Sequence, residues 1–204
     1  MDDIREKVLK RQDPKVNEKL KNAKVSVLGC GGLGSNIAMT LARAGVGELY
    51  LYDFDTIEYS NLNRQNFTID ELGGDKALLT KKKIKSTLPY VKCHNQNIYL
   101  TNENMDTIAH KTDIFIEAFD NKESKTMLFD YFVGRKDKYL ITGTGLSGLG
   151  ELSDIKIKQI DNVTLIGDFT SNPDQGLYLA YVGIIANLEA LTAIKILTGD
   201  YNGK

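Results

Sequence analysis

Two cysteines, Cys30 and Cys93, and two histidines, His94 and His110, are all that the 204-residue sequence offers in thiol or imidazole ligands. They are too few for a disulfide framework or a four-cysteine zinc site, so no zinc is expected and a reducing, intracellular setting is. An excess of charge is missing as well. The formal net charge of -1 gives no concentrated basic surface, which excludes nucleic acid or an anionic membrane as the expected partner. Apolar stretches read as strand-length or interrupted by polar residues, short of the roughly 20 residues of a membrane helix. The charged N-terminus, Met1 to Lys7, has no apolar signal core behind it, and a cytoplasmic location is expected. There is no internal repeat and no low-complexity linker. With 42% hydrophobic and 26% charged residues, the chain has the makings of one ordinary core.

What is present alternates. Residues 2–22 carry apolar positions at Ile4, Val8, Val16 and Leu20, the spacing of one or two surface helices divided at Pro14. The domain proper is expected to run from 23 to 204. Strand-like runs at 25–28, 48–53, 90–98, 113–120, 139–144, 155–160 and 163–167 are separated or followed by helical stretches at 35–44, 75–88, 102–110, 124–133 and 182–197. Strands alternating with helices predict an α/β fold: a Rossmann-like, doubly wound, mostly parallel sheet with helices on both faces and its ligand at the carboxyl ends of the strands. The polar segment 167–176, with Pro173 and Gly176, reads as an exposed functional loop. The lysine run Lys81, Lys82, Lys83 and Lys85 reads as a solvated helix face.

Gly29-Cys30-Gly31-Gly32-Leu33-Gly34 has the G-x-G-x-x-G spacing, follows a strand and opens a helix. In that setting glycines let the backbone approach phosphate, and the helix N-terminus supplies unpaired N–H groups. Asp53, about 20 residues on at the end of the second strand, is placed to accept hydrogen bonds from ribose hydroxyls. These features specify a nucleotide but leave its identity open. The next segment narrows it: Asp53-Phe54-Asp55, then Ser60-Asn61-Leu62-Asn63-Arg64-Gln65, then Lys76. Arg64 and Lys76 are cations that a loop and the following helix can bring to a triphosphate, and Asn61 can bond to phosphate or ribose. Asp120, beside Asn121 at the end of a strand, offers Mg2+ a hard oxygen ligand.

These blocks, with Ala118-Phe119-Asp120-Asn121, Val182-Gly-Ile-Ile-Ala186 and Ile196-Leu-Thr-Gly199, resemble the ThiF/MoeB/ubiquitin-activating-enzyme superfamily from about residue 8 onward. The short-form ThiF enzymes, which adenylylate the sulfur carrier ThiS in thiamine-thiazole synthesis, are the nearest pattern. The resemblance implies a cytoplasmic homodimer that uses ATP and Mg2+ to activate the Gly-Gly carboxylate of a small ubiquitin-like sulfur-carrier protein, releasing pyrophosphate. It implies nucleotide contacts from Gly29, Gly31, Gly32, Gly34, Asp53, Asp55, Ser60, Asn61, Asn63, Arg64, Lys76, Asp120 and Asn121. Arg64 and Lys76 would stabilise developing charge and Asp120 would hold Mg2+. Arg11 resembles the N-terminal arginine that superfamily members insert into the partner subunit's site, and 167–176 the crossover segment that guides the carrier's tail.

A carboxylate nucleophile is already ionised near neutral pH, so this chemistry asks for cations and alignment rather than a general base. The residue set agrees: it is cationic and has no triad, and His94 and His110 lie outside every motif. Other features depart from the superfamily. The two CxxC pairs of longer members are absent, and no cysteine lies between 121 and 204, so a covalent link to the carrier is not expected. Cys30 and Cys93 read as packing residues, and Glu189 stands where relatives often carry glutamine. The glycine motif with Asp53 also suits an NAD(P)-dependent oxidoreductase, but that reading leaves Arg64, Lys76 and Asp120 without a purpose. The remaining alternatives are a carrier from a molybdopterin or cysteine pathway and a scaffold that binds nucleotide without turnover.

Overall fold

The computed structural model describes residues 1–201. Two short helices lead in, α1 (Asp2–Val8) and α2 (Pro14–Lys21). Asp13 caps α2, its carboxylate accepting from the Lys15 and Val16 N–H groups, and Pro14 takes the first helical position, where a missing N–H costs nothing. Arg5 fastens this segment to the rest. It is buried, donates to the Gly45 carbonyl and lies 5.3 Å from the centre of the Tyr90 ring.

Seven strands form one sheet: β1 (Lys24–Leu28), β2 (Glu48–Asp53), β3 (Lys92–Asn97), β4 (Ile114–Glu117), β5 (Tyr139–Gly143), β6 (Lys156–Ile160) and β7 (Val163–Gly167), in the order β3-β2-β1-β4-β5-β7-β6. Every neighbouring pair is parallel except the β6–β7 hairpin. The helices α3 (Gly34–Ala44), α4 (Lys76–Thr87), α5 (Met105–Ala109), α6 (Lys122–Phe132) and α7 (Leu179–Thr198) cover both faces. Alternation along each strand divides the core. Val25, Val27, Leu49, Leu51, Ile114, Ile116 and Ile141 pack with α3, α4 and α7. Leu28, Tyr52, Phe115 and Leu140 point the other way, toward Met105, Ile108, Leu128 and Phe132. Because β1 lies between β2 and β4, the strand order reverses there and opens a crevice at the carboxyl ends.

Most elements stand where the sequence places them, and the differences have local causes. The fourth strand stops at Glu117 because its own carboxylate takes up the Phe119 N–H at 2.6 Å. The helix expected over 102–110 begins only at Met105, because the Asn104 side chain accepts from the Thr101 N–H and donates to the Tyr99 carbonyl. α7 is longer than expected. Its 20 residues are, by length and composition alone, apolar enough to cross a bilayer, which corrects the expectation that no apolar stretch approaches that length. Val182, Ile185, Ala186, Ala190 and Ala193 on this helix are core residues.

Candidate active site

The crevice is built on the turn between β1 and α3. Gly29 has φ +100° and its N–H donates to the Tyr52 carbonyl; a Cβ there would sit 2.9 Å from the Ala118 carbonyl oxygen. A Cβ on Gly34 would lie 1.8 Å from the Gly29 oxygen. These two glycines are demanded by packing, whereas Gly31 and Gly32 face space and the side chains of Gln65 and Arg64. No side chain caps α3, so the open end of the helix faces the crevice with a partial positive charge.

Asp53 is buried beneath this turn. Its carboxylate accepts the Cys30 N–H at 2.5 Å and the Asp55 N–H at 2.8 Å, locking the glycine loop to the end of β2. Burial pushes its pKa up, while these two hydrogen bonds and Lys76 pull it down. The loop after β2 is tied to α3 in turn. Asn36 donates to the carbonyls of Gly32 and Arg64, and the Ser35 hydroxyl accepts from the Asn66 N–H. The stem of Arg64 therefore lies over Gly32, its Cγ 3.4 Å from where a Cβ would be. Its guanidinium is held by the Ser60 carbonyl and the Asn63 side chain. Lys76 opens α4 next to its cap, Asp75, and its Nζ lies 2.9 Å from Asp55. At the carboxyl end of β4, Asp120 is exposed and takes part in no hydrogen bond or ion pair among the described residues. One free carboxylate suits Mg2+, which takes one or two from protein and the rest of its shell from phosphate and water. No cluster of three metal-binding side chains exists among the described residues.

The ThiF family model matches residues 5–204. The chain belongs to the ThiF family. It is 32% identical over 201 residues to the molybdopterin-synthase adenylyltransferase of Haemophilus influenzae, covering 94% of this chain and 82% of that one. It is also 32% identical over 192 residues to the adenylyltransferase and sulfurtransferase UBA4 of Debaryomyces hansenii, covering 90% of this chain but 43% of that protein. It thus spans less than half the length of such two-function relatives. In three dimensions it resembles the E. coli tRNA N6-threonylcarbamoyladenosine dehydratase TcdA in complex with ATP, at TM-score 0.84 and 21% identity over 95% of this chain and 93% of that one. E. coli MccB with ATP matches at TM-score 0.73 and 24% identity, covering 93% and 59%. At these identities the two structures show a shared fold.

Within this ThiF-family frame the structure brings Gly31, Gly32, Asp53, Asp55, Arg64, Lys76 and Asp120 to one rim of the sheet. Several other residues named from the sequence also have local partners. Asn61 is buried and its Oδ1 accepts the Glu58 N–H, bracing the turn that carries Arg64. Ser60 contacts Glu58 at 3.5 Å, Asn63 donates to the Leu177 carbonyl, and Asn121 caps α6 through the Ser124 N–H. The Asn63 contact joins the Arg64 loop to Leu177, the residue that follows the 167–176 segment, and that segment is itself organised by Asp168. That carboxylate accepts from the Thr170 and Ser171 N–H groups and the Tyr181 hydroxyl, bonds that hold its pKa down. Arg11 lies elsewhere. It is exposed beyond α1, where neighbouring Gln12 donates to the Arg43 carbonyl at the far end of α3.

Both cysteines are buried, and burial raises the Cys93 thiol to about 12 and Cys30 well above its ordinary value. Neither provides a thiolate at neutral pH. Sequence reasoning missed Asp168, Tyr181, Glu117 and Lys125. Glu117 alone left a signal, as an acid inside the apolar run Ile114-Phe115-Ile116-Glu117-Ala118.

Proposed function

We propose that the chain binds ATP and adenylylates the C-terminal Gly-Gly carboxylate of a small ubiquitin-like sulfur carrier of the ThiS kind. The observation that carries this is the grouping of two cations beside the glycine turn, Arg64 with its stem over Gly32 and Lys76 paired with Asp55, while neighbouring Asp53 binds the turn itself and the exposed carboxylate of Asp120 follows the adjoining strand β4. That arrangement suits a triphosphate better than a dinucleotide, whose hydride chemistry has no use for the cations. A carrier carboxylate oxygen forms a bond to the α-phosphorus, the bond from that phosphorus to the bridging oxygen breaks, and pyrophosphate leaves with the electron pair. Arg64 and Lys76 neutralise charge that grows on the leaving group. Asp120 would hold Mg2+, which would supply further neutralisation of the phosphate oxygens. With both thiols buried, the acyl-adenylate would pass to a separate sulfur donor rather than to a cysteine of this chain.

The test is ATP–pyrophosphate exchange against a panel of carriers of the thiamine, molybdopterin and cysteine pathways, each with and without its terminal Gly-Gly. Exchange that requires one carrier's intact tail supports the reading and identifies the carrier. Exchange with none of them, despite ATP binding, would leave a nucleotide-binding scaffold or a different carboxylate substrate.

A further inference from the structure

Behind Asp120 lies a buried polar cluster that the proposed reaction does not use directly. Glu117, wholly buried at the end of β4, receives Lys125 Nζ on both carboxylate oxygens, at 3.1 and 2.8 Å, and the Thr142 hydroxyl from the neighbouring strand. The same ammonium donates to the Gly143 carbonyl at 2.9 Å. Its three N–H donors are therefore committed to the ends of β4 and β5. Glu117 passes the constraint forward: its Oε1 accepts the Phe119 N–H at 2.6 Å. Lys125 completes the circuit through its backbone, its own N–H reaching the Asn121 carbonyl at 3.3 Å while the Asn121 side chain caps the same helix. Asp120 sits between these two anchored residues, 119 and 121. The glycine loop is packed on the same turn, since Gly29 leaves no room for a Cβ against Ala118.

We propose that Lys125, acting with Thr142 through Glu117, is a positioning residue for Asp120, fixing from beneath the turn that presents this carboxylate to the nucleotide's metal. The inference rests on the reading of Asp120 as the Mg2+ ligand. Lys125 never touches nucleotide; its cation sets where the Asp120 backbone lies relative to the glycine loop, so its loss acts on metal use before nucleotide affinity. A lysine that served only to neutralise Glu117 would act on stability and leave the metal requirement unchanged.

The experiment compares Lys125→Met, Lys125→Arg, Thr142→Val and Asp120→Ala in the full chain. One measurement is the Mg2+ concentration for half-maximal exchange at saturating ATP. The other, independent of turnover, is Mn2+ binding in the presence of a non-hydrolysable ATP analogue, followed by water proton relaxation. Lys125→Met is expected to weaken both by roughly 10- to 100-fold, the usual cost of removing a group that orients a metal ligand. The KM for ATP at saturating Mg2+ should stay close to that of the parent, and Lys125→Arg should recover most of the loss. Thr142→Val, which removes one hydrogen bond and no charge, should shift both readouts in the same direction by less, and it decides the matter if Lys125→Met does not fold. Unchanged Mg2+ and Mn2+ dependence in Lys125→Met or, failing that, in Thr142→Val overturns the proposal, as does an equal loss of ATP affinity. If Asp120→Ala itself leaves the metal dependence unchanged, the reading of Asp120 fails and this inference with it. If Asp120→Ala shifts it and the cluster variants do not, only this inference fails.

Discussion

Lys76 Nζ lies 2.9 Å from Asp55 Oδ2, with the lysine side chain nearly buried and the carboxylate about half exposed. A buried ammonium needs a partner, and Asp55 provides one from the solvent side of the crevice. The cation is thereby held at the rim in advance, so that in the proposed reaction little reorganisation would be needed as charge develops on departing pyrophosphate. Lys76→Ala should accordingly lower kcat for exchange by about 100-fold while raising the KM for ATP far less, and Arg64→Ala should follow the same pattern. Steady-state exchange kinetics at varied ATP measure both. A variant that loses only ATP affinity, with kcat intact, would show that its cation binds the ground state and transition state alike.

The four glycines of the turn between β1 and α3 separate into two kinds. Gly34 has a neighbouring backbone oxygen 1.8 Å from the position of an added Cβ, whereas the nearest atom at Gly31 is the Gln65 side-chain nitrogen at 3.6 Å. Gly34→Ala should force the backbone apart and cost about 1 to 3 kcal/mol, as overpacking does. Gly31→Ala should cost about 0.5 kcal/mol or less, yet weaken ATP binding, because its methyl group would project where phosphate approaches. Urea unfolding midpoints and ATP titration of the two variants test this; the reverse order of stabilities would rule out the division.

How much of this was legible follows from the kind of force involved. Periodicity and glycine spacing mark the strands, the glycine turn after β1 and the position of Asp53 at the end of β2, because each depends on neighbours close in sequence or on alternation along one strand. The different duties of Gly31 and Gly34 were not legible, since the clash at Gly34 depends on how tightly the loop folds onto Gly29. Asn61, Asn63 and Asn121 read as nucleotide ligands from their place in a pattern. In the structure their side chains bond to Glu58, Leu177 and Ser124, as asparagine does wherever a loop needs a cap, a local role that the pattern does not show. The Glu117–Lys125–Thr142 cluster unites three elements, and only the fold brings them together.

Glu189 is wholly buried on α7, and neither carboxylate oxygen has a hydrogen-bond partner among the described residues. Burial raises its pKa well above the ordinary value and Glu117 adds to the rise, while Lys125 opposes it. The native state then keeps a proton that the unfolded chain releases above about pH 4.3. From there up to the folded-state pKa the unfolded state binds fewer protons, so stability falls as pH rises, by up to about 1.4 kcal/mol per pH unit. Glu189→Gln removes the titration and keeps the shape. Its advantage over the parent in urea unfolding should be small near pH 5 and grow as pH rises from there. An advantage independent of pH would show that Glu189 is not the group holding the proton.

Arg11 cannot serve the proposed triphosphate site of its own chain from where it stands. Leu9 packs against Gly45 and Gln12 bonds to Arg43, so this turn lies at the C-terminal end of α3, about 16 Å along the helix from the glycine loop at its other end. A role for Arg11 at the phosphates therefore requires a second copy of the chain, related by a two-fold axis that presents each arginine to the opposite site. Mixing two variants, Arg11→Ala and Asp120→Ala, tests this directly. Each homodimer should be inactive in exchange. In the heterodimer, one site combines the intact Asp120 of the Arg11→Ala chain with the intact Arg11 of the Asp120→Ala chain, and activity should return on mixing at up to half the parent level per dimer. If the arginine acted within its own chain, every heterodimer site would lack one of the two groups and nothing would be recovered. Lack of recovery in dimers shown by native mass spectrometry to be mixed would refute the arrangement, and so would full activity of Arg11→Ala alone.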